Sequence, residues 1–184
     1  MGYEEKDTAL IKTKTADYYA ERLQAAERLR GLAEPLKTVV TPEDMPWENC
    51  RQGLVKHLVH EKMGTVENTL DIVMQIIPGG SRSGKHRHLG EEYMFILEGR
   101  GYSLHWDVEM ELGEKYTWKI PETPSKWEWE TGDSVYIPPN TVHQHFNSDP
   151  DNPVRFLSAE SRMIRYMGLD DLEQLEDAPE YRKV

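Results

Sequence analysis

Two histidines and a glutamate, set between glycines in the middle of the chain, constrain its fold more than any other feature. Five residues separate Gly80 from His86, and His88 lies two positions further on. After three more residues comes Glu92, and Gly99 closes the segment after six more residues. Side chains alternate along a β-strand, so His86 and His88 point to the same face. The segment therefore predicts two strands that present two imidazoles and a carboxylate to one wall.

A fourth candidate ligand lies in a second segment framed by glycine. It begins at Gly132, continues after five residues at Pro138, and reaches His143 five positions later, with Asn147 after three more residues. Three imidazoles and one carboxylate suit a single divalent transition metal. Such a set leaves coordination positions free for water, oxygen or a chelating substrate.

Together the two segments resemble the paired motifs of the cupin superfamily, in order and in internal spacing. One departure is Asn140, which stands where the second motif usually has glycine; asparagine is the next best residue for a left-handed turn. The resemblance implies an all-β fold, a cupin-type jelly-roll antiparallel β-barrel, with one metal inside it. Carried over position by position, the implied metal ligands are His86, His88, Glu92 and His143. Cupins that serve as metal-free sugar-binding or storage modules usually lack some of these ligands, and all four are present here.

The remaining patterns divide the chain into three parts: an N-terminal helical arm over residues 1–50, the β-barrel over 51–168, and an acidic C-terminal helix or tail over 169–184. Within the arm, Thr15–Leu32 places apolar residues at helical spacing behind a threonine cap. This helix is either a lid or dimer arm, or a helix packed on the outside of the barrel. Short alternating runs with turn residues between them suit a sandwich or barrel. Leu112–Thr131, rich in tryptophan, predicts a long hairpin or an excursion inserted between the two motifs.

Two further patterns lie near the C-terminus. Met163–Met167 is apolar enough to add a last strand to the sheet. Leu169, Leu172 and Leu175 recur at every third position, which predicts a short acidic helix docked on the barrel.

Size, charge and cysteine content exclude several classes of protein. A chain of 184 residues can bury about 70% of the surface that its unfolded form exposes, so it needs no disulfides to stabilise it. Cys50 is its single cysteine, which excludes an internal disulfide and fits the cytoplasm. No leader or membrane-spanning run is visible, and a net charge of −11 argues against nucleic acid or a membrane as partner. We expect a small-molecule substrate instead.

Two residues beside the expected ligands are candidates for proton transfer. His145 lies two positions after His143 and shares its parity, so it is either a histidine that contacts substrate or shuttles protons, or a satisfied polar residue of the core. Tyr93, which follows Glu92, is the second candidate. Glu91 also neighbours Glu92, but the motif spacing favours Glu92 as the ligand.

The other histidines and one arginine have no motif around them. His57, His60 and His105 are expected to have ordinary structural roles. Arg87 lies between two expected ligands and should point away from the metal, because side chains alternate along a strand.

Three functions are compatible with this site. The first is a mononuclear non-haem iron dioxygenase, with Fe(II) preferred over Mn, Ni, Cu or Zn, acting on a small aromatic, hydroxy-acid or hydroxy-ketone substrate. The run around His86 and His143 is similar to gentisate-type dioxygenases, which usually lack the glutamate and carry two cupin domains. The second is an isomerase, lyase or decarboxylase in which the metal is a Lewis acid and His145 or Tyr93 moves protons. The third is a binding or storage module.

We also expect a homodimer, because barrels of this kind expose sheet edges that must be covered. The Thr15–Leu32 helix and the strands around Leu54–Val59 could cover these edges across a twofold axis. The predicted assembly is therefore symmetric, with the same surface contributed by both copies.

Overall fold

The computed structural model describes residues 16–31, 36–66 and 69–182 of the chain. The chain divides into two compact units, Met1–Leu36 and Lys37–Val184. Each unit is built differently, the first around a helix and the second around β-sheets.

The first unit contributes one described helix, α1 (Tyr18–Gly31). The predicted helix covered Thr15–Leu32, and its two terminal residues lie outside the described part of the chain. Tyr18 and Tyr19 are more than 70% exposed. The predicted helix is confirmed over Tyr18–Gly31.

The second unit is made of short antiparallel strands, as the alternating pattern predicts. In chain order the strands are β1 (Trp47–Cys50), β2 (Gly53–Val59), β3 (Leu70–Ile77), β4 (Lys85–Arg87), β5 (Glu92–Glu98), β6 (Arg100–Asp107), β7 (Glu109–Leu112), β8 (Tyr116–Lys119), β9 (Ser125–Glu130), β10 (Ser134–Ile137), β11 (Thr141–Asn147), β12 (Val154–Ser161) and β13 (Glu173–Glu176). Short 3₁₀ turns at Pro42–Asp44 and Glu61–Met63 flank the first two strands. The first strand thus begins before residue 51, where the barrel was expected to start.

Two sheets form the barrel. The six-stranded sheet has the order β1-β2-β3-β12-β5-β10, and the five-stranded sheet has the order β13-β4-β11-β6-β9. From β3 onward, and apart from the paired strands β7 and β8, strands that are consecutive in the chain lie in different sheets, which is the connectivity of a jelly roll. The predicted all-β, cupin-type fold is confirmed.

Strand β5 shows how the sequence pattern builds the core. Glu92, Met94 and Ile96 are buried, while the residues between them are exposed. Met94 and Ile96 pack with apolar side chains of β3, β9 and β12, namely Ile77, Trp129, Val154 and Phe156. Each such burial contributes roughly 1.5–3 kcal/mol of transfer free energy. The core thus holds the two sheets together and fixes which face of β5 points inward.

Two turns need special backbone conformations. Asn140 has φ 62°, so the asparagine takes the left-handed conformation expected of the glycine it replaces. Gly99 has φ 96°, and a Cβ there would lie 2.5 Å from Cγ1 of Val154. Glycine is therefore required at Gly99 both by its backbone and by the close approach of β12.

The prediction of an acidic C-terminal helix is wrong. Glu173–Glu176 instead forms β13, which pairs with β4 at the edge of the five-stranded sheet. Leu169 and Leu172 are largely exposed, so the threefold spacing of leucines builds no buried stripe. The free edge of β4 offers backbone hydrogen bonds, and carboxylates of the C-terminal segment bind a buried arginine on β4. These tertiary interactions outweigh the local helical pattern.

The prediction of a strand over Met163–Met167 is also wrong, because α2 (Met163–Tyr166) is a single helical turn. Arg162 and Arg165 both reach the carboxylate of Asp71, at 3.0 Å in each case. Residues three apart share a face in a helix and lie on opposite faces in a strand. The shared carboxylate therefore favours the helical turn.

The tryptophan-rich insertion divides between two structures. β7 and β8 pair with each other as a separate two-stranded hairpin, while β9 joins the five-stranded sheet beside β6. A hairpin is therefore present, but it begins at Glu109 and ends at Lys119, and the rest of the predicted range contributes a strand to the five-stranded sheet. Within the described residues, no helix has the length and apolar content that crossing a bilayer demands.

Candidate metal centre

Four side chains from three strands meet inside the barrel. His86 lies on β4 and His88 just after it, Glu92 begins β5, and His143 is central in β11. Each offers one donor atom, and the four atoms lie within 4.8 Å of one another. His143 stands opposite His86 in the β11–β4 register, and their ring centroids are 4.1 Å apart. The structure therefore brings together all four residues that the cupin resemblance implies as ligands.

Backbone carbonyls orient two of these imidazoles. His88 donates from Nδ1 to the carbonyl of Gly90 at 2.8 Å, and His143 donates from Nδ1 to the carbonyl of Thr141 at 2.9 Å. A carbonyl can only accept, so Nδ1 carries the proton in both rings. In its neutral form each ring therefore offers Nε2 to a metal at the centre of the cluster, which is the tautomer that ligation requires.

The carboxylate of Glu92 lies at the centre of the cluster. Its Oε2 is 3.1 Å from Nε2 of His88 and 3.4 Å from Nε2 of His143. Its other oxygen accepts a hydrogen bond from the hydroxyl of Ser158 on β12. Glu91, the neighbouring candidate, is exposed. The strand register thus selects Glu92 as the carboxylate of the group.

Two nitrogens of the cluster identify it as a place for a metal. Nδ1 of His86 and Nε2 of His143 are buried, and neither has a hydrogen-bond partner among the described residues. A buried polar atom without a partner costs about 1–3 kcal/mol. Three imidazole nitrogens and one carboxylate oxygen at this spacing could hold a divalent transition-metal ion, which would satisfy both atoms.

The charges of the group are strongly coupled. Burial alone would raise the pKa of Glu92, but the His143 and His88 imidazoles outweigh it and hold that pKa well below its usual range. Burial likewise opposes the charge on His88, yet the hydrogen bond and charge of Glu92 raise the pKa of His88 to about 9. Burial and the nearby His143 hold the pKa of His86 well below its usual value. Without a metal, His88 is therefore protonated and Glu92 ionised at neutral pH, so the pair shares one proton.

His145 lies beside the cluster rather than within it. Its ring centroid is 5.5 Å from that of His143, and it packs against Phe156. The indole N–H of Trp129 donates to Oγ of Ser103, so the Ser103 hydroxyl in turn donates to Nδ1 of His145. Burial and the nearby His143 lower the pKa of His145 to about 3. His145 is thus a neutral imidazole held by a hydrogen-bond chain, with its proton on Nε2.

The structure corrects the role expected of Tyr93. Glu92 points into the barrel, so the next residue on β5 points out, and Tyr93 is 52% exposed on the opposite face of the sheet. Its hydroxyl cannot reach a substrate bound at the cluster. Tyr93 was a candidate for proton transfer because it follows Glu92 in sequence, but the alternation of side chains along β5 places it on the other face of the sheet.

His105 is a candidate that its sequence position alone did not single out. It stands opposite His143 in the β11–β6 register and is 5% exposed. Its Nε2 is buried and has no hydrogen-bond partner among the described residues. Burial and the nearby His143 lower the pKa of His105 to about 4. The sequence shows only that Ser103 and His105 share one face of β6. The pairing of β6 with β11 is needed to place that face beside His143.

A second carboxylate stands next to the cluster. Glu160 on β12 pairs in register with Glu92, and its Oε1 is 3.6 Å from Nδ1 of His88. Its side chain is 37% exposed. Burial of the remainder raises the pKa of Glu160 above its usual value. Glu160 therefore lies between the buried cluster and solvent.

Arg87 points away from the cluster, as strand alternation predicts. Its guanidinium binds Asn140 at 2.8 Å, Asp171 at 2.9 Å and Glu173 at 3.0 Å. It also lies 5.0 Å from the ring centroid of Trp118. Arg87 thus ties the strand that carries two candidate ligands to the turn of the second motif and to the C-terminal segment.

The other two histidines have partners elsewhere. Nε2 of His57 lies 2.7 Å from a carboxylate oxygen of Glu48, and Nδ1 of His60 accepts from the backbone N–H of Lys62. Neither belongs to the four-residue group.

Known proteins similar in sequence cover most of this chain. A family model described as auxin binding protein matches residues 33–172. Auxin-binding protein T85 of Nicotiana tabacum is 27% identical over 120 residues, which cover 65% of this chain and 60% of the tobacco protein. The chain therefore spans less than two thirds of the length of that relative.

Solved structures share the barrel. A variant of Bacillus subtilis oxalate decarboxylase superposes with a TM-score of 0.57 at 14% identity, covering 78% of this chain and 33% of that one. The polyketide cyclase RemF of Streptomyces resistomycificus has a TM-score of 0.51 at 17% identity, covering 68% of this chain and 80% of that one. At these identities the likeness shows a common fold alone.

Proposed function

This chain belongs to the auxin-binding protein family and has the cupin fold, and from that premise we propose that it is a metal-dependent enzyme, a mononuclear iron dioxygenase acting on a small, oxygen-rich substrate. The observation that carries the proposal is the convergence of His86, His88, Glu92 and His143 on one buried point, with two nitrogens unpartnered. Such donors are costly to bury together unless an ion satisfies them.

The donor set is compatible with iron, which is the metal that our proposal assigns to it. Imidazoles combined with one carboxylate suit Fe(II), Mn, Ni or Cu, and also accommodate Zn. Four protein donors leave two positions of an octahedron. An iron(II) ion bound there would supply oxygen chemistry and a coordination site for a substrate with adjacent oxygens, such as a catechol, hydroxy-acid or hydroxy-ketone.

The protein's own residues would orient the substrate and exclude water. Met94, Ile137 and Phe156 are fully buried in the barrel, so they keep bulk solvent from the cluster. His105, with its unpartnered Nε2, can bind an oxygen of the substrate. His145, held by Ser103, presents its Nε2 proton as a second donor. These two imidazoles supply hydrogen bonds that the ligand residues cannot, because the ligands are committed to the ion.

A second candidate is a non-oxidative reaction in which the metal acts as a Lewis acid, as an isomerase, lyase or decarboxylase would use it. The observation that favours it is the pair His105 and His145, two buried imidazoles beside the cluster that can carry protons. A third candidate is binding without turnover. The tobacco relative is an auxin-binding protein by name, which favours a small organic ligand held at the same site.

One set of measurements separates the three. Metal-free protein is loaded with Fe(II), Mn(II) or Zn(II), its metal content is measured, and oxygen uptake is followed with catechols, hydroxybenzoates and hydroxy-ketones. Oxygen-dependent turnover by the iron form alone supports the dioxygenase. Equal turnover by the zinc and iron forms without oxygen loss supports the Lewis-acid enzyme. Saturable binding without product supports the binding protein, and a chain that retains no metal overturns both enzyme candidates.

A further inference from the structure

A cleft separate from the candidate metal centre lies at the edge of the six-stranded sheet, between the start of β1 and the end of β2. Its volume of about 620 Å³ is within the range of roughly 300–1,000 Å³ that is typical of small-molecule sites. None of the four candidate metal ligands lines it. β2 lies three strand spacings from β5, which carries Glu92, so the two strands are about 14 Å apart. We refer to this feature as the edge cleft.

The edge cleft has an apolar and aromatic wall. Trp47 is 49% exposed, and Met63 is half-buried. The rings of His57 and His60 stand edge to face, with their centroids 5.5 Å apart. The face of an indole attracts cations, and Nζ of Lys56 lies 5.5 Å from the ring centroid of Trp47. The wall can therefore hold the apolar body of a ligand and favours one that carries a positive charge.

The charged groups that line the edge cleft leave it with a negative charge. Lys37 and Asp44 bind each other in an ion pair, so their charges cancel. Glu43 and Glu48 supply two further carboxylates, and Lys62 supplies a second ammonium group. With neutral imidazoles, three carboxylates against two ammonium groups give a formal charge of −1. One positive charge on a ligand would balance it.

Hydrogen bonds hold both imidazoles and leave carboxylate oxygens available to a ligand. Nδ1 of His60 accepts the backbone N–H of Lys62 at 3.2 Å, so this ring is neutral and carries its proton on Nε2. Nε2 of His57 donates to Oε2 of Glu48 at 2.7 Å. The Glu48 side chain is 55% exposed, and Glu43 is exposed as well. Oε1 of Glu48 and the carboxylate of Glu43 can therefore accept hydrogen bonds from a ligand.

We propose that the edge cleft is a second binding site, which takes a small organic amine in its ammonium form, with the apolar body against Trp47 and the ammonium on Glu43 and Glu48. An ammonium group has three N–H donors and no acceptor, which matches carboxylates that can only accept. The net charge of −11 raises the local concentration of cations around the chain. This site is independent of the metal centre and of the reaction proposed there.

Two probes of the same shape test the preference for a cation. Benzylamine is protonated at pH 7, whereas benzyl alcohol has the same ring and a neutral hydroxyl in place of the ammonium. In isothermal titration of the full chain, benzylamine should bind with a dissociation constant on the order of 0.1–1 mM. Benzyl alcohol should bind at least about tenfold more weakly, because it lacks the charge-assisted hydrogen bonds.

A matched pair of substitutions locates the binding. Glu48→Gln removes one charge from the edge cleft but keeps an oxygen that accepts from His57. Glu111→Gln removes the same charge from the separate β7–β8 hairpin, where the Glu111 side chain is 62% exposed. Glu48→Gln should weaken benzylamine binding about tenfold, and Glu111→Gln should change it less than about twofold. Trp47→Ala should weaken it about fivefold through loss of the indole face.

Three outcomes overturn the proposal: no benzylamine binding at millimolar concentration, equal affinity for the amine and the alcohol, or equal losses in Glu48→Gln and Glu111→Gln. The last of these would place bound amine outside the edge cleft, including at the metal centre. Circular dichroism checks that each variant is folded, and Glu43→Gln, with the same loss expected, replaces any cleft variant that is not. Metal content and oxygen uptake are measured separately, so failure here leaves the proposed function untouched.

Discussion

His105 on β6 stands directly opposite His143 on β11, and their ring centroids are 6.4 Å apart inside the barrel. One of the two belongs to the four-residue donor group, and the other keeps a buried nitrogen without a partner among the described residues. An unsatisfied buried nitrogen reduces stability, and beside the candidate metal centre this nitrogen is free to bind a ligand.

Replacing His105 with leucine should separate function from stability. We expect His105→Leu to retain its metal and to lose about 10–100-fold in kcat/KM, because a hydrogen bond of about 1.5–3 kcal/mol to the substrate is absent. The free energy of unfolding should be unchanged or about 1 kcal/mol higher, since the unpartnered nitrogen is gone. Metal analysis, steady-state kinetics and denaturant unfolding measure the three quantities. Unchanged kinetics would remove His105 from the substrate site.

Removing one imidazole of the cluster should abolish metal binding while leaving the barrel folded. His86→Ala, His88→Ala and His143→Ala should each weaken metal affinity by far more than the roughly 10–100-fold that loss of an outer hydrogen bond causes. His57→Ala, which removes a histidine with a partner elsewhere, is the matched control and should retain full occupancy. Metal content by mass spectrometry and far-ultraviolet circular dichroism give the readouts. Full occupancy in any one of the three variants would exclude that histidine as a ligand.

Adjacent glutamates offer the sharpest test of the strand register. Glu92→Gln should lose the metal, because the amide is a weaker ligand and carries no charge. Glu91→Gln should bind as the wild type does, since Glu91 is exposed while Glu92 is buried. Isothermal titration with the same metal compares them. The reverse pattern would show that the register of β5 assigned here is wrong.

Metal affinity should rise with pH between about 7 and 9. The raised pKa of His88, about 9 in the metal-free protein, means that His88 is protonated at pH 7. A metal needs the neutral imidazole, so binding releases about one proton, and the apparent affinity should increase about tenfold per pH unit. The same raised pKa of His88 stabilises the metal-free fold fully below the ordinary histidine value of 6.5, and this contribution is lost as pH rises through about 9. Calorimetry in buffers of different ionisation enthalpy counts the protons, and an affinity independent of pH in this range contradicts the prediction.

Removing the carboxylates that bind Arg87 should reduce the free energy of unfolding more than removing Arg87 itself. The double variant Asp171→Asn, Glu173→Gln leaves the buried guanidinium without a carboxylate partner, and we expect a loss of about 3–5 kcal/mol. Arg87→Met should cost less, about 1–3 kcal/mol, because the two carboxylates are nearly half exposed and can hydrate. Urea unfolding of the three proteins measures the difference. An equal or greater cost for Arg87→Met would show that packing against Trp118, and not charge pairing, dominates this contact.

The sequence by itself determined the wall that carries the candidate ligands. Alternation along a strand depends only on backbone geometry, so the shared face of His86 and His88 followed from their spacing. The same argument placed Arg87 on the opposite face, and the left-handed turn at Asn140 followed from what an asparagine tolerates.

Other features depended on contacts between segments distant in the chain, and local patterns do not contain them. Leucine recurs at every third position from Leu169, which predicts a helix. Glu173–Glu176 nevertheless forms a strand, because it pairs with the open edge of β4 and its segment binds the buried charge of Arg87. Tyr93 follows Glu92 in sequence and lies on the other side of the sheet.

The tertiary structure decided which polar residues share the barrel interior. His105 has no motif around it, and only the pairing of β6 with β11 places it beside His143. Parity along one strand is set by bond geometry, whereas the neighbour across a strand is set by the hydrogen-bond register and the packing of the whole barrel.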